Sequence, residues 1–323
     1  MHKYLFLLNF LITSLTTNHA AAQAPYPTRP IRLVVPLAPG GPSDILARTV
    51  SAAITGPLGQ PVVVENRTGA AGMTGADNIA KSPADGYNIL LIGLSTFTSI
   101  AALYPKLPYD ARRDFAAVTV LAASPFLLVT HPALPVRNTR ELIALAKARP
   151  AELNYSSGGV GTQPQMLMEI VKLAAQINIT HIPYKGTGPA LTDAIAGHVQ
   201  TGLFGIIASL PSVQAGRLRA LAVSSEKRSP RLPDLPTLME GGLAGVSDIS
   251  AHMILAPAAT PRDIINRLNK EMVAALQTAE VKSRLANEGA EVIGNTPEQA
   301  GAMLRADLEK RIEVVKRTGI KIE

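Results

Sequence analysis

The chain of 323 residues contains no cysteine and no tryptophan, and only 4% of its residues are aromatic. Without cysteine the protein cannot hold a disulfide framework, an iron–sulfur cluster, a thiolate zinc site or a cysteine nucleophile. The scarcity of aromatic rings removes the stacking platforms on which single-stranded nucleic acids bind. Because 47% of the residues are hydrophobic, the composition excludes intrinsic disorder and indicates a chain that buries a large core.

The net charge of +7, from 31 basic and 24 acidic residues, is spread along the chain. Basic residues occur singly or in pairs such as Arg112-Arg113, Lys227-Arg228 and Lys310-Arg311, and not as a stripe. A patch that binds nucleic acid needs clustered cations. We therefore interpret these residues as a solvated surface and expect no nucleic-acid partner.

The N-terminus has the pattern of a secretory signal peptide. The polar pair His2-Lys3 precedes the apolar run 4–15, and Ala20, Ala21 and Ala22 supply the small residues of a cleavage site. The run is shorter than the ~20 residues that span a bilayer. We expect residues 1–22 to be removed near Ala22 and the mature chain to be exported and soluble, with no membrane insertion. The alternative is a buried N-terminal helix.

Strands and helices alternate after this segment. Short β-branched runs predict strands at 31–35, 62–64 and 89–92, with helices at 44–54 and 76–81 between them. A βαβαβ order of this kind predicts a parallel sheet with helices on both faces. Two apolar stretches follow, at 116–122 and 126–130.

The second half of the chain repeats this order. Asn138 and Glu141 form a capping-box pattern at the start of a helix over 138–149. The later pattern predicts strands at 153–155, 180–182, 201–204 and 218–223, helices at 165–175 and 189–195, then a strand at 253–255 and two helices capped by Thr260 and Thr296. Since no linker separates the halves, we expect two α/β lobes joined by crossing strands, with a cleft at the carboxyl ends of the strands.

Two glycine-rich loops lie between a predicted strand and a predicted helix, at 36–44 and 155–163. Glycine lets the backbone approach a ligand closely, and a helix N-terminus offers free N–H groups to an anion. Neither loop has the glycine spacing of a nucleotide-binding loop. Together they predict carboxylate or phosphate binding, while the alternative for the first loop is a plain turn with Ser43 or Asp44 as the helix cap.

Further polar groups follow other strands. Lys185 lies in the loop 184–189, where it places a charge near the cleft or is simply a solvated lysine. Ser95 and Thr96 follow the third strand and are predicted to donate hydroxyl groups into the same cleft. The loop 69–75 is interpreted as a tight turn that lets the lobes pack closely.

Catalysis finds little support in the sequence, and a hydrolase is the third and least favoured alternative. His131, His181, His198 and His252 are isolated, and neither a metal-binding motif nor a nucleophile elbow occurs. Residues 224–227 match the Ser-x-x-Lys motif of some serine hydrolases. A pattern with only two fixed positions is expected by chance in a chain of this length. We expect no enzyme, no cofactor and no metal, and we interpret His181 and His252 as packed or wall residues.

The sequence also resembles the Bug-type solute-binding proteins of tripartite tricarboxylate transporters. The similar segments occur in order along the mature chain: Pro30 to Pro36, Pro39-Gly40-Gly41 with Asp44, Leu58 to Arg67, Asp85-Gly86-Tyr87, Leu107 to Asp110, Asp114-Phe115-Ala116, Pro183 to Gly186, Leu218 to Val223 and Leu255 to Ala258. The resemblance implies a two-lobed periplasmic binding protein, type II-like, that closes on a small carboxylate and delivers it to membrane permease subunits. We expect a monomer, with one lobe formed by 25–126 plus 252–323 and the other by 127–251.

The resemblance also implies which residues hold the ligand. Main-chain N–H groups and hydroxyls of the two loops hold the carboxylate in the family, which corresponds here to Gly40, Gly41, Ser43 and Asp44 in one lobe and to Ser157, Gly158, Gly161 and Thr162 in the other. We also place five further residues at the cleft: Ser95, Thr96, Lys185, Phe204 and Gly205.

Three departures from the family bear on the ligand. Gly205-Ile206 stands where members usually have Asp-Asn or Asp-Ser, Gln165 where histidine is common, and Ala251-His252 where Trp-Phe is usual. Loss of the acidic residue removes the partner of an amino group, so we predict a carboxylate without an amino group and with an apolar or aromatic body. The alternative function is an exported sensory binding protein that reports its ligand to a membrane receptor; neighbouring permease or sensor-kinase genes would separate the two.

Overall fold

The computed structural model describes residues 26–320, with gaps at 38, 40, 41, 185 and 288. The predicted signal peptide lies outside the described residues, as do Gly40, Gly41 and Lys185. Within the described part of the chain, no helix is both long and apolar enough to cross a bilayer.

The first three strands form a parallel sheet, as the sequence predicts. Strand β1 (Ile31–Val35) lies between β2 (Val62–Asn66) and β3 (Asn88–Gly93), and both pairings are parallel. Ile31 and Leu33 pack against α1 (Pro42–Leu58), while Val34 packs on the opposite face of the sheet. The apolar run is continuous because helices cover both faces.

Strand β4 (Phe115–Thr130) connects the two halves of the sheet. Its first part pairs with β9 (Ile249–Pro257) and its last part with β7 (Thr201–Gly205), both antiparallel. The sequence indicates two apolar runs here because Ser124 and Pro125 interrupt the pattern. Pro125, which has no N–H to donate, lies where β4 changes partners.

The second half of the sheet repeats the parallel arrangement of the first. Strand β5 (Asn154–Ser157) pairs with β6 (Thr180–Pro183) and with β7, both in parallel. The full path is β2-β1-β3-β9-β4-β7-β5-β6, and two further strands, β8 (Arg219–Val223) and β10 (Glu291–Val292), also pair with β4. The remaining elements are α2 (Met73–Ala80), α3 (Leu94–Leu103), α4 (Thr139–Ala148), α5 (Gln163–Ala175), α6 (Thr187–Ala196), α7 (Ile206–Gln214), α8 (Arg262–Leu276), α9 (Ala279–Asn287) and α10 (Pro297–Thr318).

Helices cover both faces of each half of the sheet. Helices α1, α8 and α9 pack on one face of the first half, and α2, α3 and α10 pack on the other. In the second half, α4 and α5 cover one face and α6 and α7 the other. The predicted two-lobed α/β fold with crossing strands is confirmed, and the residue boundaries of the lobes stay a prediction.

The helix caps are confirmed at two of the three predicted positions. Asn138 accepts a hydrogen bond from the Glu141 N–H at the start of α4, and Thr296 forms a complete capping box with Gln299 at the start of α10. The prediction for Thr260 is wrong, because α8 begins two residues later, with Pro261 as its cap. The Thr260 hydroxyl instead donates to the Pro257 carbonyl across 2.7 Å.

The glycine-rich loop 69–75 has a different use from the predicted one. A Cβ at Gly75 would lie 2.7 Å from Cβ of Pro36, so this glycine lets α2 approach the loop that follows β1. The close packing is therefore within the first half of the molecule.

Candidate ligand-binding site

Four helices begin where the two halves of the sheet meet. Helices α1, α3, α5 and α7 each follow the carboxyl end of a parallel strand. Ile45 of α1 and Ile207 of α7 line one cavity of about 30 Å³ together with His252 of β9. On the other face, a buried hydrogen-bond network joins the first turns of α3 and α5, as described below. The N-termini of α1 and α7 therefore meet on one face of the junction, and those of α3 and α5 meet on the other.

The first glycine loop is anchored through the start of α1. The Ser43 Oγ lies 2.9 Å from Nε2 of His252, so the loop is tied to a crossing strand. The Asp44 carboxylate accepts hydrogen bonds from Arg48 and from Asn66. Asn66 also donates to the Leu37 carbonyl, which fixes the loop against the end of β2.

The second glycine loop is closed by its own hydroxyl groups. The Ser157 Oγ accepts from the Gly159 N–H at 3.2 Å, lies 3.1 Å from the Gly159 carbonyl, and lies 2.7 Å from Nε2 of His181. Thr162 donates to the same carbonyl, and the Gly161 N–H donates to Gln165. Loop shape is thus set by side chains that the sequence predicts as ligand contacts.

Gly158 has a steric reason to be glycine. A Cβ at this position would lie 3.1 Å from the Thr187 backbone nitrogen, at the start of α6. The loops after β5 and β6 therefore approach each other more closely than a larger residue would allow.

His181 belongs to a buried group in the second half. Its ring stacks on Tyr155 with centroids 4.7 Å apart, and the Tyr155 hydroxyl donates to Glu169, which also pairs with Lys172. Burial lowers the pKa of His181 and, more than any other cause, raises the pKa of Tyr155. The interpretation of His181 as a packed residue agrees with this placement.

Helix α3 contributes two hydroxyl groups, one with a hydrogen-bond partner and one without a partner among the described residues. Ser95 accepts a hydrogen bond from Nη2 of Arg311 at 2.8 Å. Thr96 is half-buried, and its hydroxyl has no hydrogen-bond partner within the described residues. Within the described residues the Ser95 hydroxyl therefore keeps its donor and one acceptor position, and the Thr96 hydroxyl keeps its full hydrogen-bonding capacity.

The interpretation of Arg311 as part of a solvated basic surface is wrong. Its side chain is 0% exposed and donates to Ser95, Asp248 and Asp307. Asp248 in turn accepts from the Gln163 amide at 3.1 Å. This network connects α3 to α5 through α10, and the spacing of Leu304, Leu308 and Arg311 along the buried face of α10 is the sequence signal that indicates it.

Phe204 and Gly205 differ in their surroundings. The Phe204 ring is buried in the core against Gly202. Gly205 caps α7, and a Cβ placed there would meet no atom within 4 Å. There is therefore room for a side chain at position 205.

A larger cavity of about 480 Å³ lies beside the Arg311 network. Ser95, Asp248, Asp307 and Lys310 line it, and none of its lining residues comes from either glycine loop among the described residues. The sequence gives no signal for this cavity, because its walls come from segments far apart in the chain.

The electrostatics of the junction favour an anion. The first turn of an α-helix has N–H groups without intrahelical partners and carries the positive end of the helix dipole. Burial lowers the pKa of His252 to about 4, so this imidazole is neutral at neutral pH. The described residues include no cluster of side chains that would hold a metal ion.

The ten-stranded sheet with crossing strands and a central group of helix N-termini defines a solute-binding protein of the periplasmic-binding-protein fold. Residues 46–320 match the family described as "Tripartite tricarboxylate transporter family receptor". Protein BugT of Bordetella pertussis is 38% identical over 299 residues, which cover 92% of each chain. The chain belongs to this receptor family.

Solved structures agree with this assignment. The R. palustris protein Rpa4515, solved with adipate, has 36% identity and a TM-score of 0.79, covering 92% of this chain and 99% of that one. The periplasmic binding protein BugD has 32% identity and a TM-score of 0.76, covering 92% of this chain and 100% of its own. The resemblance that the sequence indicates is therefore confirmed.

Proposed function

We propose that this protein is an extracytoplasmic receptor that binds a small carboxylate between its lobes and delivers it to a tripartite tricarboxylate-type permease. The helix N-termini that meet at the junction carry the proposal, because those of α1, α3, α5 and α7 offer an anion many preorganised N–H donors. Such donors bind an ionised carboxylate strongly at little entropic cost. The protein binds and releases its ligand without covalent chemistry.

The proposal keeps the lobes at 25–126 plus 252–323 and at 127–251. The ligand lies between the glycine loops, near Ser43, Asp44 and Thr96 on one side and near Gly158, Gly161 and Thr162 on the other. Ser95, Ser157 and Phe204 support these loops from inside, since their side chains are buried or already hydrogen-bonded. The chain works in the periplasm as a monomer, after cleavage near Ala22.

The proposed ligand has no amino group. The wall at Gly205 and Ile206 offers no carboxylate to an ammonium, and the Asp44 carboxylate is engaged with Arg48 and Asn66. Adipate, with which the relative Rpa4515 was solved, also has no amino group. We therefore favour acids with an apolar body over amino acids.

Calorimetric titration of the mature protein tests this proposal. The panel contains succinate, malate, adipate, citrate and benzoate against aspartate and glutamate, and we expect binding only from the first group. Gly205→Asp should weaken binding of that acid and improve binding of an amino acid, because the new carboxylate occupies open space on the wall. Gly205→Asn is the uncharged control and should not gain amino-acid binding. Selective binding of aspartate or glutamate by the unmodified protein would contradict the proposed ligand class.

A further inference from the structure

Two serine–histidine pairs occupy corresponding places in the two halves of the molecule. Ser43 pairs with His252 at the start of α1, and Ser157 pairs with His181 at the end of β5. Both serines are buried. The two hydroxyl groups differ in how many partners they have.

Ser157 has no capacity left to donate a hydrogen bond to a ligand. A serine hydroxyl donates one hydrogen bond and accepts two. The Ser157 Oγ accepts from the Gly159 N–H, and its single proton has two acceptors within hydrogen-bond distance, the Gly159 carbonyl and Nε2 of His181. This pair therefore closes the second glycine loop and leaves no hydroxyl donor for a ligand.

Ser43 has such capacity. Within the described residues, His252 is the one hydrogen-bond partner of its hydroxyl, and Nδ1 of His252 has no partner. The imidazole is neutral, so one ring nitrogen donates and the other accepts. Which of them carries the proton depends on what the Ser43 hydroxyl does.

A carboxylate at the start of α1 would settle that choice. An ionised carboxylate only accepts hydrogen bonds, so the Ser43 hydroxyl must donate to it. His252 must then donate from Nε2 to the Ser43 oxygen, which completes a chain of donors directed at the ligand. Nδ1 is then an acceptor, and His252 lines the cavity of about 30 Å³, which has room for about one water molecule.

We infer that His252 is a positioning residue of the proposed ligand site, which holds the Ser43 hydroxyl so that it donates to the ligand carboxylate. The inference rests on the proposed function and adds a residue to it. A phenylalanine at this position would have no atom with which to hold the Ser43 hydroxyl.

A double-mutant cycle on Ser43 and His252 tests the inference. The probe is whichever acid of the panel above raises the melting temperature of the unmodified protein most. His252→Phe and Ser43→Ala should each raise its Kd about 10-fold, as expected for the loss of a hydrogen bond to a charged group. The double variant should be no weaker than the weaker single variant, because both changes remove the same donor chain. His252→Gln, whose amide nitrogen replaces Nε2, should bind within about threefold of the unmodified protein on the same reasoning.

The control is His198→Gln, which removes an exposed histidine paired with Asp193 and should leave the Kd unchanged. Multiplicative losses in the cycle, or a His252→Gln variant as weak as His252→Phe, would overturn the inference while leaving the proposed function intact. If no acid of the panel binds the unmodified protein, the proposed function fails and this inference fails with it.

Discussion

Nη2 of Arg311 donates to Oδ2 of Asp248 across 2.6 Å, and both side chains are buried. Arg311 belongs to the last helix, whereas Asp248 immediately precedes the crossing strand β9. Asp248 also accepts from Gln163 at the start of α5. The Arg311–Asp248 ion pair thus holds α10, the crossing strand β9 and the start of α5 together.

Asp248→Ala should lower the free energy of unfolding by about 3–5 kcal/mol, because it leaves a buried guanidinium with one of its two carboxylate partners. Urea denaturation measures the change. Arg113→Ala is the control, since Arg113 pairs with Asp110 while its side chain is 81% exposed, and an exposed pair contributes about 0–1 kcal/mol. Similar losses in the two variants would show that the network contributes no more than a surface pair.

Gly75→Ala should lower the free energy of unfolding by about 1–3 kcal/mol through overpacking, because its Cβ would contact Pro36. Pro36 begins the first glycine loop, so the affinity for a carboxylate should fall as well. Gly301→Ala is the matched control. Its Cβ would meet neighbours no closer than 3.4 Å inside α10, and alanine there should stabilise by about 0.5–1 kcal/mol. Thermal and urea denaturation measure the change. A change in the free energy of unfolding of the same sign for both variants would contradict the packing argument.

Thr296→Ala should lower the free energy of unfolding by about 1 kcal/mol, because it removes the side-chain acceptor of the α10 capping box. Thr296→Ser keeps the hydroxyl and should remain close to the unmodified protein. A serine variant as unstable as the alanine variant would mean that the methyl group, and not the cap, is what matters. Urea denaturation again gives the comparison.

Stability should fall as the pH drops from about 6.5 to about 4. Burial lowers the pKa of His252 to about 4, while the unfolded chain has the ordinary value near 6.5. The unfolded state binds more protons in this window, so acid favours unfolding, and no further loss from this residue follows below its folded pKa. His252→Gln should reduce the slope of unfolding free energy against pH by up to about 1.4 kcal/mol per pH unit. An unchanged slope would show that His252 has an ordinary pKa in the folded state.

The parts of the fold that the sequence predicts well are those with local signals. Continuous β-branched runs identify β1 and β3, and the caps at Asn138 and Thr296 identify two helix starts. Helices α3 and α7 escape prediction. The first contains no charged residue to define a polar face, and Pro211 lies inside the second.

For the site, too, only the features with local sequence signals can be predicted. Two glycine loops between strands and helices indicate anion binding, and the structure brings the helices that follow them to one junction. The partners of their hydroxyl groups are a different matter, since Ser43 and His252 are 209 positions apart. Such a pair depends on the crossing of β4 and β9, which no local pattern encodes.

The first residues of strand β4 pair in one half of the sheet and its last residues pair in the other. Neither half retains a complete sheet when it is separated from its neighbour, so a genetic cut at Pro125 would leave both products with an open edge. A chimaera built from two relatives would have to take β4 and β9 from the same parent to keep their pairing. The loops at the strand ends are free of that constraint, and ligand preference can change through them while the shared strands stay as they are.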